Sequence, residues 1–167
     1  MAKPKLIQIV SLFLAAAVVS GTLLISPGRV YGESVYSSNQ AVENTILEVV
    51  NQNRSHVHRG MLIQSDSLTE VARIRSQDMA KKGYFSHRTP EGATVFDIMQ
   101  GMNIIYMKAS ENLWLGTIEI ANAQTIVDSW MRSRSHKKII LKKCYAQAGV
   151  GVVDCDGNRI VTIVLTN

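Results

Sequence analysis

Three residues of this chain have side chains suited to chemistry and surroundings that would hold them in place for it. His87 follows Gly83-Tyr84-Phe85-Ser86, where a helical segment stops at the glycine and two aromatics pin the next turn against the body of the fold. Glu111 lies in the apolar stretch from Ala109 to Leu115, where a carboxylate is costly to bury alone. His136 comes just past an amphipathic segment, in Trp130-Met131-Arg132-Ser133-Arg134-Ser135-His136. The two imidazoles are the nearest partners available to that carboxylate, so the three are expected to converge on one cleft. Two imidazoles and a carboxylate around a cavity can hold a divalent metal such as zinc with one position open, or form a hydrogen-bonded polar cluster that shapes a cleft.

The remaining polar motifs carry less. His56-x-His58 would point both rings to one side on a strand, but it falls in a loop after a helix and reads as solvent-facing. Ser86 beside His87 does not make a triad, and no Gly-x-Ser-x-Gly elbow occurs. Cys144 and Cys155 flank Tyr145–Val153, read as one strand; at ~3.3 Å per residue the sulfurs lie ~30 Å apart, too far for an internal disulfide. Neither cysteine has a second pair or a histidine at zinc-binding spacing.

The elements that must position these residues can be read from periodicity and punctuation. A first helix is expected from Gln40 to Asn53, with Val42, Ile46, Val49 and Val50 on one stripe. Ser67 and Glu70 form a capping box for a second helix that ends near Lys82, and Thr94 with Asp97 repeats the signal for a short third through Met99. Ile104–Gly116 reads as strand and irregular chain. A fourth helix is expected from Ile120 to Arg132, and Ser135 caps a fifth through Leu141. Gln147–Val153 and Arg159–Leu165 are β-branched runs joined by Asp154–Asn158, whose Asp-Gly pair signals a hairpin. Helices first and a hairpin last imply an α+β domain with an antiparallel sheet covered by helices.

Residues 1–32 read as a secretory signal: Lys3 and Lys5, an apolar run from Leu6 to Ile25, helix-breaking Pro27 and Gly28, and a Val30-Tyr31-Gly32 step before the cut. The run is nearly long enough to span a bilayer, so an uncleaved membrane anchor is the alternative. Residues 33–39 read as a linker and 40–167 as the domain. The 18 basic and 13 acidic residues give +5 overall; without Lys3, Lys5 and Arg29, 15 against 13 leaves +2. That balance gives no electrostatic case for nucleic acid, and the Lys137-Lys138 and Lys142-Lys143 pairs read as a solvated face.

Phe85-Ser86-His87, Glu111-Asn112-Leu113 and Trp130-x-x-Ser133-x-x-His136, in this order, resemble the CAP superfamily of cysteine-rich secretory proteins, antigen 5 and pathogenesis-related proteins. The likeness is strongest to its bacterial SCP-like extracellular members and covers about residues 41 to 166, from Asn51-x-x-Arg54 through Gly149-Val150-Gly151-Val152. It implies a three-layer α-β-α sandwich with a central antiparallel sheet. It also implies that His87, Glu111 and His136 occupy the family's cleft positions and are its metal ligands. Ser133 stands where many eukaryotic members carry a second acid; Asp128 or Glu119 replaces it only if the fold turns one inward.

The function implied is a secreted, non-enzymatic binding module for an extracellular ligand, whether lipid, peptide or cell-wall component, with transient membrane contact through the signal segment. The alternatives are a metal-dependent hydrolase of peptide or cell-wall material, with a metal-bound water as nucleophile, and a membrane-tethered envelope protein.

Overall fold

A strand that alternates Gly149 and Gly151 with Val150 and Val152 has two unlike faces, and this contrast decides the layering. The computed structural model describes residues 28–167, with side chains from residue 38 onward; residues 1–27 of the expected signal lie outside the described residues. Strand β3 (Gln147–Cys155) turns through Asp156 and Gly157, both at positive φ (50° and 74°), into β4 (Asn158–Thr166). This is the two-residue turn that an Asp-Gly pair favours. It is tighter than the expected five-residue connection, because Asp154 pairs with Arg159 and Cys155 with Asn158 in the ladder.

Strand β2 (Ala109–Thr117) runs antiparallel to β4 along its whole length, and β1 (Ile63–Gln64) runs parallel to β3, giving the order β1-β3-β4-β2. Two residues are too few to show a period, which is why β1 is invisible in the sequence.

On one face, Val150, Val152, Val161 and Ile163 pack against Ile46, Val49 and Val50 of α1 (Gly28–Ser55) and Ile126, Val127 and Trp130 of α4 (Ala123–Arg132). On the other, the glycines leave room for α2 (Asp66–Lys82), whose Leu68, Val71 and Ala72 join Val164 and the Val95 and Met99 of α3 (Val95–Gly101). The approach is so close that a Cβ on Gly149 would sit 2.1 Å from the Leu68 backbone. With α5 (Arg134–Ile140) beside α4, this is the α-β-α sandwich.

Several helix boundaries differ from expectation. The N-cap of α2 is Ser65 rather than Ser67, its hydroxyl accepting from Leu68 N at 3.4 Å, while Gly83 ends the helix at φ 67°. In α3 the Asp97 carboxylate accepts from the Thr94 amide and hydroxyl at 2.6 and 2.7 Å. Ile118–Ile120 forms a 3₁₀ turn, so α4 starts at Ala123 under an Asn122 cap, and Ser133 rather than Ser135 caps α5. Helix α1 continues back through residues 33–39, read as a linker, to Gly28; no glycine or proline lies between Glu33 and Ser55 to stop it. Among the described residues no helix is long and apolar enough to cross a membrane.

The end of α1 is bolted to the rest by Arg54, which is fully buried. Its Nε donates to Gly60 O at 2.7 Å, Nη1 to Ile140 O and Lys142 O at 2.6 and 3.1 Å, and Nη2 to Tyr145 O at 3.1 Å. Asn51 adds a reciprocal pair, donating to Leu62 O and accepting from Leu62 N. The Asn51-x-x-Arg54 motif is thus a structural staple.

Candidate functional site

The buried stripe of α2 reads Leu68, Val71, Ala72, Arg75, Ser76, Met79. Arg75 therefore carries a guanidinium with no exposure at all into the interface between helix and sheet. Ser76 beside it donates within reach of Gly151 O (3.0 Å) and Thr162 Oγ1 (2.9 Å), fixing the helix at sheet level. Arg75 Nη2 donates to Ser86 O at 2.6 Å and Nη1 to the Tyr84 hydroxyl, which in turn donates to Asp78. Burial alone would raise the Asp78 carboxyl, but hydrogen bonds from Tyr84 and Lys82 and the charges of Lys82 and Arg75 hold it below the usual range.

Glu111, on the α2 face of β2, completes the chain. Its Oε1 lies 3.3 Å from Arg75 Nε and its Oε2 2.6 Å from His87 Nδ1. The Arg75 Nε–H is not aimed at Oε1, and neither atom has a hydrogen-bond partner, so that contact is Coulombic. A carboxylate only accepts, so Nδ1 of His87 carries the hydrogen and Nε2 remains available on a ring whose side chain is 59% exposed. The ring borders a cavity of about 340 Å³ at the outer edge of β2, lined by Arg88, Ser110 and Glu111 together with the apolar Val95, Phe96 and Ile139.

His136 approaches from the other face of β2. It lies on half-buried α5, and its carbonyl accepts from Asn112 Nδ2 at 3.3 Å. Burial first, and then the nearby charge of His87, lower its pKa below 6.5. The two histidines therefore share a field, but only His87 touches Glu111 among the hydrogen bonds of the site. Ser133 is engaged elsewhere: its hydroxyl meets Ser135 Oγ at 3.1 Å and its carbonyl accepts from Lys137 N. Glu119 is exposed on the 3₁₀ turn, and Asp128 accepts from Gln124 on its own helix, so neither supplies a second acid.

The three side chains are not gathered as three ligands around one point. Both Glu111 oxygens face Arg75 or His87, so the carboxylate is engaged within the protein and orients His87 through Nδ1, which leaves Nε2 of His87 and the His136 ring as the donors of the set. Among the described residues no three His, Cys, Asp or Glu side chains are grouped to hold an ion. Arg75 and Asp78 are the site residues that sequence reasoning passes over, and Tyr84, read there only as an aromatic pinning the turn, adds its hydroxyl to the chain. Arg75 is detectable, since it falls on the same helical stripe as Leu68, Val71, Ala72 and Met79. A larger cavity of about 600 Å³ between α1 and β1, lined by Asn44, Glu48 and Met61 among others, has no such cluster.

The lowered pKa of His136 gives a pH prediction. Between the native value and about 6.5 the unfolded chain binds more protons than the native one, so stability falls as pH drops through that window and levels off below the native value. The melting temperature should decline on acidification from pH 7 to 5, and less so in His136→Gln. Asp78, whose native pKa is lowered, loses its contribution only in the carboxylate range below about pH 4. Calorimetry across both windows separates the two; equal slopes between pH 7 and 5 in parent and variant would remove His136 as the cause.

Residues 47–166 match the family model described as CAP, the cysteine-rich secretory protein family. The chain belongs to that family. It is 35% identical over 121 residues to the uncharacterized protein YkwD of Bacillus subtilis (strain 168), covering 72% of this chain and 46% of YkwD. It is 28% identical over 129 residues to the uncharacterized membrane protein YlbC of the same organism, covering 77% of this chain and 36% of YlbC. The chain thus spans less than half the length of these relatives. Among solved structures, the CAP fold here resembles an extracellular protein containing an SCP domain from Bacillus anthracis str. Ames, with TM-score 0.70 and 25% identity over 77% of this chain and 41% of that one. An outer surface protein of Borrelia burgdorferi shares the fold at TM-score 0.66 and 17% identity, over 72% and 88% of the two chains.

Proposed function

We propose that this CAP domain acts outside the cell as a non-enzymatic binding module that takes an amphipathic ligand at the β2 edge. The observation that carries the reading is the Arg75–Glu111–His87 chain, which orients an imidazole with one free nitrogen at a cavity lined both by polar groups and by Val95, Phe96 and Ile139. Such a lining suits a ligand with a polar head and an apolar body. The two serines at or next to the cavity are already engaged: Ser86 Oγ accepts from Arg88 N, and Ser110 Oγ pairs with the Tyr145 hydroxyl at 2.5 Å. The hydrolase reading needs a metal-held water, and the engaged Glu111 argues against it.

The extracellular setting rests on the signal-like N-terminus and on the extracellular relative in Bacillus anthracis. The mature chain is expected to begin at or near Glu33. Mass spectrometry of the medium tests this; full-length protein found only in membranes would favour the tethered form, to which the membrane relative YlbC lends support.

The cleft itself is tested by titrating a lysophospholipid, a short peptide and a cell-wall muropeptide into labelled protein. One class should shift the ring signals of His87 and Phe96, and His87→Ala should abolish the response. Shifts confined to the α1–β1 cavity, or none with any probe, would overturn the assignment.

A further inference from the structure

The four most exposed large apolar side chains among the described residues are Ile105 (96%), Met107 (86%), Ile63 (70%) and Met61 (68%). All four gather at one end of the sheet. The register sets Ile63 against Gln147, Gln147 against Thr166, and Thr166 against Ala109, so the segments carrying them arrive along one short row. Asn167 ties that row together: its Oδ1 accepts from the amides of Met107 and Lys108, and its amide donates to Lys108 O. Arg59 Nε donates to Leu141 O at 3.0 Å, which joins 56–62 to 141–146, and Tyr145 reaches Ser110 at the start of β2, just past Lys108.

The charges on this surface are mostly of one sign. The three segments hold His56, His58, Arg59, Lys108, Lys142 and Lys143 and no carboxylate. Two acids border it, Glu48, which shares a cavity with Met61, and exposed Asp66, three residues past Ile63, so the cations outnumber them. The opposite end is mixed, with Glu119, Asp154 and Asp156 beside Arg159, which is itself clamped on Asp154. Single exposed apolar residues are ordinary, but four of them at the end of the sheet that also carries these cations make the composition of an interfacial anchor.

We propose that this end of the molecule docks on an anionic phospholipid bilayer, with Ile105, Met107, Ile63 and Met61 entering the headgroup region and Lys108, Lys142 and Lys143 meeting the lipid phosphates. A soluble polyanion would satisfy the cations and leave the apolar tips in water; a neutral apolar surface would do the reverse. An anionic bilayer uses both. The surface adjoins the His87 cavity, where Ser110 meets Tyr145 and Phe96 meets Tyr106, but the proposal uses none of the residues that line that cavity.

The test uses the full chain carrying Ile105→Trp, mixed with vesicles of phosphatidylcholine alone or with one quarter phosphatidylglycerol, and brominated lipid as quencher. The introduced indole should be quenched and blue-shifted on the anionic vesicles only, and the effect should fade at high salt. The exposed triple change Lys108→Glu, Lys142→Glu, Lys143→Glu should weaken that quenching affinity by about a hundredfold or more, at roughly tenfold or less per cation removed. In the protein without the tryptophan, Ile105→Asn with Met107→Asn should lower vesicle binding while leaving polyphosphate binding unchanged. Quenching that is absent, equal on neutral vesicles, or unaffected by charge reversal would overturn the proposal. So would binding to polyphosphate with none to vesicles.

Discussion

Gly149→Ala is expected to leave this protein largely unfolded at room temperature. The added Cβ would lie 2.1 Å from Leu68 C and Thr69 N, which are backbone atoms, so no rotamer change relieves the overlap. Ordinary overpacking costs about 1–3 kcal/mol because side chains yield. Here α2 itself must lift from the sheet, which also strains the Ser76 contacts with Gly151 O and Thr162. A loss above ~4 kcal/mol follows, comparable with the whole stability of a domain this size. Gly151→Ala should behave alike, its Cβ falling 2.2 Å from Arg73 N. Gly60→Ala, with nothing within 4 Å of the new carbon, is the control. Urea midpoints for the three variants decide the matter; a Gly149→Ala midpoint no lower than that of Gly60→Ala would show that α2 does not sit this close. The same closeness brings Arg75 to the level of β2, so the packing of two glycines is a condition for the site.

What can be read from the sequence follows the strength of local signals. The hairpin is legible because Asp-Gly between β-branched runs has one favoured geometry, and α2 because Gly83 marks its end. The cap of α2 is easily misplaced because Ser65 and Ser67 are equally good caps, and their hydroxyls in fact touch at 3.0 Å. The start of α4 is hidden because Ile118 and Ile120 continue the apolar pattern while the backbone is still in a 3₁₀ turn. The layer order is not legible from periodicity. It depends on which face of β3 is bare, and the resemblance to the CAP family supplies it.

The pairing of Glu111 with His87 is anticipated from the cost of burying a carboxylate alone, but the buried charge behind its other oxygen is Arg75. A charged residue on a helical apolar stripe is the signal that finds it. His136 and Ser133 are placed by their position in the Trp130 motif, and sequence spacing says nothing of which face of β2 a helix comes from.

Glu111→Ala should destabilise the protein by about 3 kcal/mol, while His87→Ala should cost under about 1. The two differ because burial differs. The His87 side chain is mostly exposed, so its bond to Glu111 competes with water; Arg75 has no exposure, so removing Glu111 strands a buried guanidinium. The loss is set at the low end of the ~3–5 kcal/mol typical of a broken buried pair, because Asp78 remains 3.9 Å from Arg75 Nη1 and the Tyr84 hydroxyl and Ser86 carbonyl still accept from it. Glu111→Gln, which keeps the shape and an acceptor for His87 Nδ1 but loses the charge, should fall between the two. Arg75→Met alone should also be damaging, since it leaves Glu111 buried with only His87, yet combining it with Glu111→Leu should recover much of the loss, a coupling of at least ~1 kcal/mol. Denaturant unfolding of the parent, Arg75→Met, Glu111→Leu and the double variant closes the cycle. Additive losses would mean that Arg75 and Glu111 are held independently, and that the orientation of His87 owes nothing to the buried charge behind it.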